Sequence, residues 1–198
     1  MEPRPHNFGK SFLIWWVLSN TIGWFLGIGL MFLIDYLGLY SHVPPITSLV
    51  VSGVVLLLQS LVLRRRIPKA SLWFFSSVVT VLIGIIVIDV FVFPNALRIS
   101  NTTFRDFYSA GIISGTVIGL LVGFSQWYVI RKYFSRAILW IFINPLVWCL
   151  GIVSHHFFIL SPFSSGYLPL YALPVIGVTL PSLISGMNLI WLYNQNSL

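Results

Sequence analysis

The chain has 198 residues, of which 58% are hydrophobic and only 8% charged, with a formal net charge of +7. A soluble domain carries roughly 25% charged residues, so a soluble fold is excluded. The one cysteine, Cys149, excludes a disulfide scaffold or a cysteine-rich metal centre. Six membrane-crossing helices of about 20 residues need about 120 in all, which this length admits with short connections.

In chain order, the first apolar run, 12–35, follows Arg4 and Lys10 as a signal peptide would. It continues past about twenty apolar residues without a small-x-small cleavage site, so it reads as an anchor. The second run, 45–63, opens at Pro44-Pro45 and stops at Arg64. A basic turn around Pro68 leads into the third, 70–93, which ends before Pro94-Asn95. The fourth covers 108–130, the fifth 137–160 and the sixth 170–193, with Ser161-Pro162 and Gly166 breaking the chain between the last two. Pro174 and Pro181 are candidate kinks in the sixth. Short alternating segments are missing, so a β-barrel is disfavoured and an all-α membrane bundle of one domain, 1–198, is expected.

Charge orients the bundle. With the N-terminus inside, the inner side holds Arg4, Lys10, Arg64, Arg65, Arg66, Lys69, Arg131, Lys132 and Arg136, against only Arg98 and Arg105 outside. This positive-inside bias places both termini in the cytoplasm. The basic residues are expected to anchor the inner ends and attract anionic lipid headgroups, at about 1 kcal/mol each. They are a topology signal rather than a nucleic-acid footprint. Asn101-Thr102-Thr103 fits the glycosylation pattern on the outer side.

An internal repeat is the most informative feature. Placing Gln59 over Gln126 aligns Arg64 with Arg131, Arg65 with Lys132, Lys69 with Arg136, Ala70 with Ala137, Trp73 with Trp140 and Gly84 with Gly151. The first run joins the series through Trp16, Asn20 and Gly27; the sixth supplies a weaker copy of the other half, with Asn188 near the Gln position. The unit is a helical hairpin. Units with an even number of spans keep one orientation, so a six-transmembrane-helix bundle of three parallel hairpin repeats, pseudo-threefold about the membrane normal, is expected. It lacks the Pro-x-acid-x-x-base signature of mitochondrial carriers, which also use three hairpins.

Gly123, Gln126, Trp127, Arg131 and Lys132, followed by Ala137, Trp140, Asn144, Trp148 and Gly151, form a Gly-x-x-Gln-Trp, Arg-Lys, Trp-x-x-x-Asn-x-x-x-Trp-x-x-Gly pattern. This resembles uncharacterised small multi-pass membrane proteins frequent in cyanobacteria and some other bacteria. The other copies depart from it, with Ser60 and Val81 at Trp positions. The resemblance covers nearly the whole chain. It implies the fold and a bacterial inner or thylakoid-type membrane, and it carries no known active site.

Depth arithmetic assembles a candidate polar layer. Asn20, Ser77 and Asn144 lie one turn beyond an inner-side Trp, and Gln59 and Gln126 lie five residues inside Arg64 and Arg131. With Asn188, these six side chains, one per helix, form a layer just inside the cytoplasmic interface. They either bond to one another or line a vestibule for a small polar ligand. Trp16, Trp73 and Trp140 are expected in an interfacial aromatic belt, and Trp24 and Trp148 inside the bundle or against lipid or pigment. Gly27, Gly84, Gly151 and the Gly115-Gly119-Gly123 ladder read as close helix contacts. Asp89 and His156 fall at one depth near the outer face and form a candidate ionisable pair for a proton, a pigment or a metal.

No His-Glu-x-x-His, phosphate loop or Gly-x-Ser-x-Gly elbow is present. The expectation is a non-enzymatic accessory or scaffold subunit contacting lipid, pigment or a larger membrane complex. The alternative is a small-molecule binder or transporter, similar in size to the six-helix capture subunits of bacterial vitamin importers, using the amide layer.

Overall fold

Apolar segments deprived of water must satisfy every backbone N–H and C=O internally, and the helix does so within one segment. The computed structural model describes residues 9–38, 44–88, 90, 104–160 and 169–195 and has six helices with no strand among them. They are α1 (Lys10–Tyr36), α2 (Pro44–Arg64), α3 (Ala70–Val87), α4 (Phe104–Ile130), α5 (Leu139–Leu160) and α6 (Pro169–Gln195). Each matches one apolar run of the sequence to within a few residues; for the third, α3 covers Ala70–Val87, Ile88 and Val90 remain helical, and positions 91–93 of the expected run lie outside the described residues. Among the described residues, three stretches are long and apolar enough to cross a membrane: Lys10–Ile34, Ala70–Val87 and Gly111–Ile130.

Each helix packs on its neighbours in the chain, and α1 also packs on α6, so the six close into a ring. The face α3 turns inward is not its most apolar one. On α3 the buried residues are Ala70, Trp73, Ser77, Val81, Gly84 and Ile85. The exposed face holds Leu72, Phe75, Val79, Leu82, Ile83 and Ile86. Polar and small side chains point inward while large hydrocarbon side chains point out, as lipid rather than water would require.

Two turns at the basic end are built alike. In the α2–α3 turn the N–H groups of Arg66 and Ile67 both donate to Leu63 O, and Ala70 N donates to Ile67 O. In the α4–α5 turn Tyr133 and Phe134 donate to Ile130 O, and Ala137 donates to Phe134 O. Both turns tuck an apolar side chain, Ile67 or Phe134, beneath the bundle and leave the cations outside. At the other end of α1, Gly38 has φ of 66°, a left-handed residue that ends the helix.

The closest helix approach is α4 on α5. A Cβ built on Gly115 would stand 2.7 Å from Cys149 Cα, on Gly119 2.5 Å from Pro145 Cα, and on Gly123 3.1 Å from Ile141 Cα. Pro145 sits inside α5 and removes a backbone donor there; the carbonyl of Ile141, four residues earlier, lies against Gly123. On α1, Gly23 and Gly27 seat Val55 and Val51 of α2 in the same manner. Gly84 seats Ile118. Gly151 departs from the expectation of a close contact: nothing among the described residues lies within 4 Å of its added Cβ.

Gly119→Ala is therefore expected to cost about 1–3 kcal/mol or more, since backbone must shift to admit the methyl. Gly151→Ala should stay within about 0.5 kcal/mol of wild type. Thermal unfolding of both variants in one detergent measures the difference.

Candidate functional site

Trp16, Trp73 and Trp140 each lie near the start of an odd-numbered helix, and all three are essentially fully buried. The expectation of an interfacial belt is thus corrected: these rings form the centre of the basic end, not its rim. Trp73 lies 5.5 Å from Trp140 and 6.3 Å, edge-on, from Trp16, which stacks on Phe12 at 5.7 Å. Leu63, Ile67, Ile130, Phe134, Leu189 and Leu192 fill around them. A belt tryptophan keeps its N–H in water or headgroups. A buried one needs an acceptor, and this need organises the polar layer.

Trp140 Nε1 donates to Gln126 Oε1 at 2.8 Å, and Gln126 Nε2 donates onward to Ser77 Oγ at 2.9 Å. Trp73 Nε1 donates to Gln59 Oε1 at 3.4 Å, and Gln59 Nε2 donates to Asn20 Oδ1 at 2.8 Å. Gln59 thus links α3 to α1 and Gln126 links α5 to α3, and both ends of each carboxamide are used. The spacing is identical, with the indole fourteen residues after the Gln that accepts from it. The residue one turn past each Trp does a second task. Asn20 Nδ2 donates back to Trp16 O at 2.7 Å, and Asn144 Nδ2 to Trp140 O at 2.9 Å. The i, i+4 spacing puts those groups on one face.

The third relay differs. Trp16 Nε1 donates to Ser185 Oγ at 3.0 Å, and the Ser185 hydroxyl donates to Ser182 O, not to a side chain on α5. In burial register Ser185 matches Gln59 and Gln126, because Leu63, Ile130 and Leu189 four residues later are equally sealed. Asn188, expected at the Gln position, makes no relay bond; its Nδ2 is buried without a hydrogen-bond partner. Ser185 was not legible in the sequence because an isolated serine in an apolar helix ordinarily bonds to its own backbone.

Of the anchors, Arg64, Arg65, Lys69, Arg131, Lys132 and Arg136 are exposed and Arg66 is half-buried, all in the two basic turns. Arg131 lies over the rings of Tyr128, 4.3 Å to its centroid, and Trp127, at 5.2 Å, while Arg136 lies 5.8 Å from Trp191. Exposed Trp15 and Trp191, rather than the buried three, stand at the rim. Trp24 is half-buried, edge-on to Phe25 at 5.2 Å, and Trp148 packs on the second core cluster, formed by Leu56, Val81, Ile85, Ile88, Ile118 and Val122. Asp89 and the side chain of His156 lie outside the described residues.

No protein-family model, curated protein or solved structure matches the chain.

Gln126→Leu leaves the Trp140 indole without its acceptor in a buried site. Unmade buried bonds cost about 1–3 kcal/mol each, so a clear fall in thermal midpoint is expected. Gln59→Leu should cost less, because its bond to Trp73 is longer and Gln59 is only half-buried. Melting both variants beside wild type checks the order.

Proposed function

We propose that the chain is a six-span, non-enzymatic membrane protein that acts through its outer surface, as an accessory or scaffold subunit in a bacterial inner or thylakoid-type membrane. The observation carrying this reading is the fate of the amide layer. Both Gln side chains spend their donors and acceptors on other helices, and three tryptophans plug the axis at the basic end. The largest area left to interact is the exterior, a surface of Phe75, Phe124, Phe142 and similar side chains, the last 67% exposed, rimmed at one end by cations. Such a surface fits acyl chains or the apolar flank of a larger membrane complex, and the basic rim fits anionic headgroups.

The three-hairpin, pseudo-threefold plan belongs to the same proposal. Its support is the closed ring of helix contacts, the identical backbone bonds of the two basic turns, and the recurrence of Trp–Gln pairs at one spacing. Parallel hairpins place Lys10, both basic turns and the end of α6 on one side, which the charge bias makes cytoplasmic.

Two measurements test this. In a Cys149→Ser background, an impermeant maleimide on intact cells is expected to label Leu37→Cys, which is exposed at the far end, and to reach Lys132→Cys only after permeabilisation. Native mass spectrometry of the mildly solubilised protein is expected to retain a stoichiometric protein partner, pigment or lipid. A bare monomer that carries a solute across liposomes would instead establish the transporter reading.

A further inference from the structure

The third relay stands open where the other two are closed. Asn20 Oδ1 and Ser77 Oγ each accept an N–H from a Gln; Asn144, in the same place on α5, donates through Nδ2 to Trp140 O, and among the described residues no donor reaches its Oδ1. Ser185 keeps the Trp16 indole bonded but lacks the carboxamide that would reach across to α5. On the same helix, Asn188 holds a buried Nδ2 with no acceptor. The contact of Ser154 with Gly177 sets the register of α5 against α6. Asn144 is ten residues from Ser154 and Asn188 eleven from Gly177, so the two amides stand within about 1.5 Å of one level. Among the described residues, an acceptor without a donor and a donor without an acceptor therefore stand at one level on neighbouring helices, with the Asn144 Cβ also packed against Gly123 of α4.

A second observation marks the same seam. Gly27 and Gly84 are packed against the second helix of their hairpins, whereas Gly151, two turns above Asn144, meets nothing within 4 Å among the described residues. Gly151 thus lacks the close neighbour that its counterparts Gly27 and Gly84 have.

We infer that the α5–α6 seam is a binding site for a small neutral carboxamide group, whose N–H₂ donates to Asn144 Oδ1 and whose carbonyl accepts from Asn188 Nδ2, so that the ligand supplies the Gln side chain missing at Ser185. Charged ligands are disfavoured: Ser154, Ser185, Asn144 and Asn188, the polar side chains described along the seam, offer no counter-charge and would leave an ion uncompensated. The inference goes beyond the scaffold reading and does not depend on it. The same head group can arrive on a free solute or at the end of an apolar chain.

The test uses the full-length protein in detergent, with propionamide, which reproduces the Gln side chain, and dodecanamide as probes, and sodium propionate as the charged control. Propionamide is expected to raise the thermal midpoint of wild type saturably, and propionate is not. Ser185→Gln, which fills the site covalently, should melt higher than wild type and lose the response. Asn188→Leu removes one ligand contact without touching the Trp16–Ser185 bond; it should retain its fold and also lose the response. A much lower half-saturating concentration for dodecanamide would assign the site to an amphiphile, and equal concentrations would assign it to a free amide. If neither amide shifts wild type, or if both variants respond as wild type does, the inference is overturned.

Discussion

An indole N–H buried away from water must find an acceptor, and three such groups meet at one end of this bundle. That requirement fixes more of the structure than any single apolar contact. Trp73 and Trp140 reach Gln59 and Gln126, each of which reaches in turn to Asn20 or Ser77 on another helix. Each relay joins three helices at one level. Between helices in hydrocarbon the hydrophobic effect gives little guidance, because lipid is as apolar as leucine. Bonds of this kind, worth about 0.6 kcal/mol each on average, are modest in strength but specific in position. A helix rotated by one residue would lose its partner.

The relays sit where the chain can hold them. Each Gln is followed by a short basic turn that brings the next Trp back to the same depth, and the two turns use the same backbone bonds. Ile67 and Phe134 fold under the tryptophans, and cations cap the outside. Above this layer the helices are set by small residues: Gly115, Gly119 and Gly123 let α4 come up to the backbone of α5, and Gly23 with Gly27 does so for α1 and α2. The bundle is therefore bonded and sealed at one end and held by close backbone packing along its length.

The exception is informative. Gln59 and Gln126 spend their polar groups on other helices, whereas among the described residues Asn188 Nδ2 has no partner and Asn144 Oδ1 receives no donor. A natural structure leaves few such groups, because each costs more unpaired than a completed bond returns.

Much was legible in the residues themselves. Six apolar runs required six helices, since no other open structure satisfies its backbone without water. Gln and Trp recurring at one spacing marked the polar layer, and the position of Asn one turn past Trp placed both on one helix face. Which way that face points was not legible. Tryptophan near a charged turn fits a lipid interface and a protein core equally well by depth, and only the rotation of each helix about its own axis buried Trp16, Trp73 and Trp140 while leaving Trp15 outside. The same rotation replaced Asn188 with Ser185 as the partner of Trp16. Depth along a helix is a count of residues and is written in one dimension. Facing is a relation among six helices, and the closing contact of α1 with α6, between opposite ends of the chain, decided it.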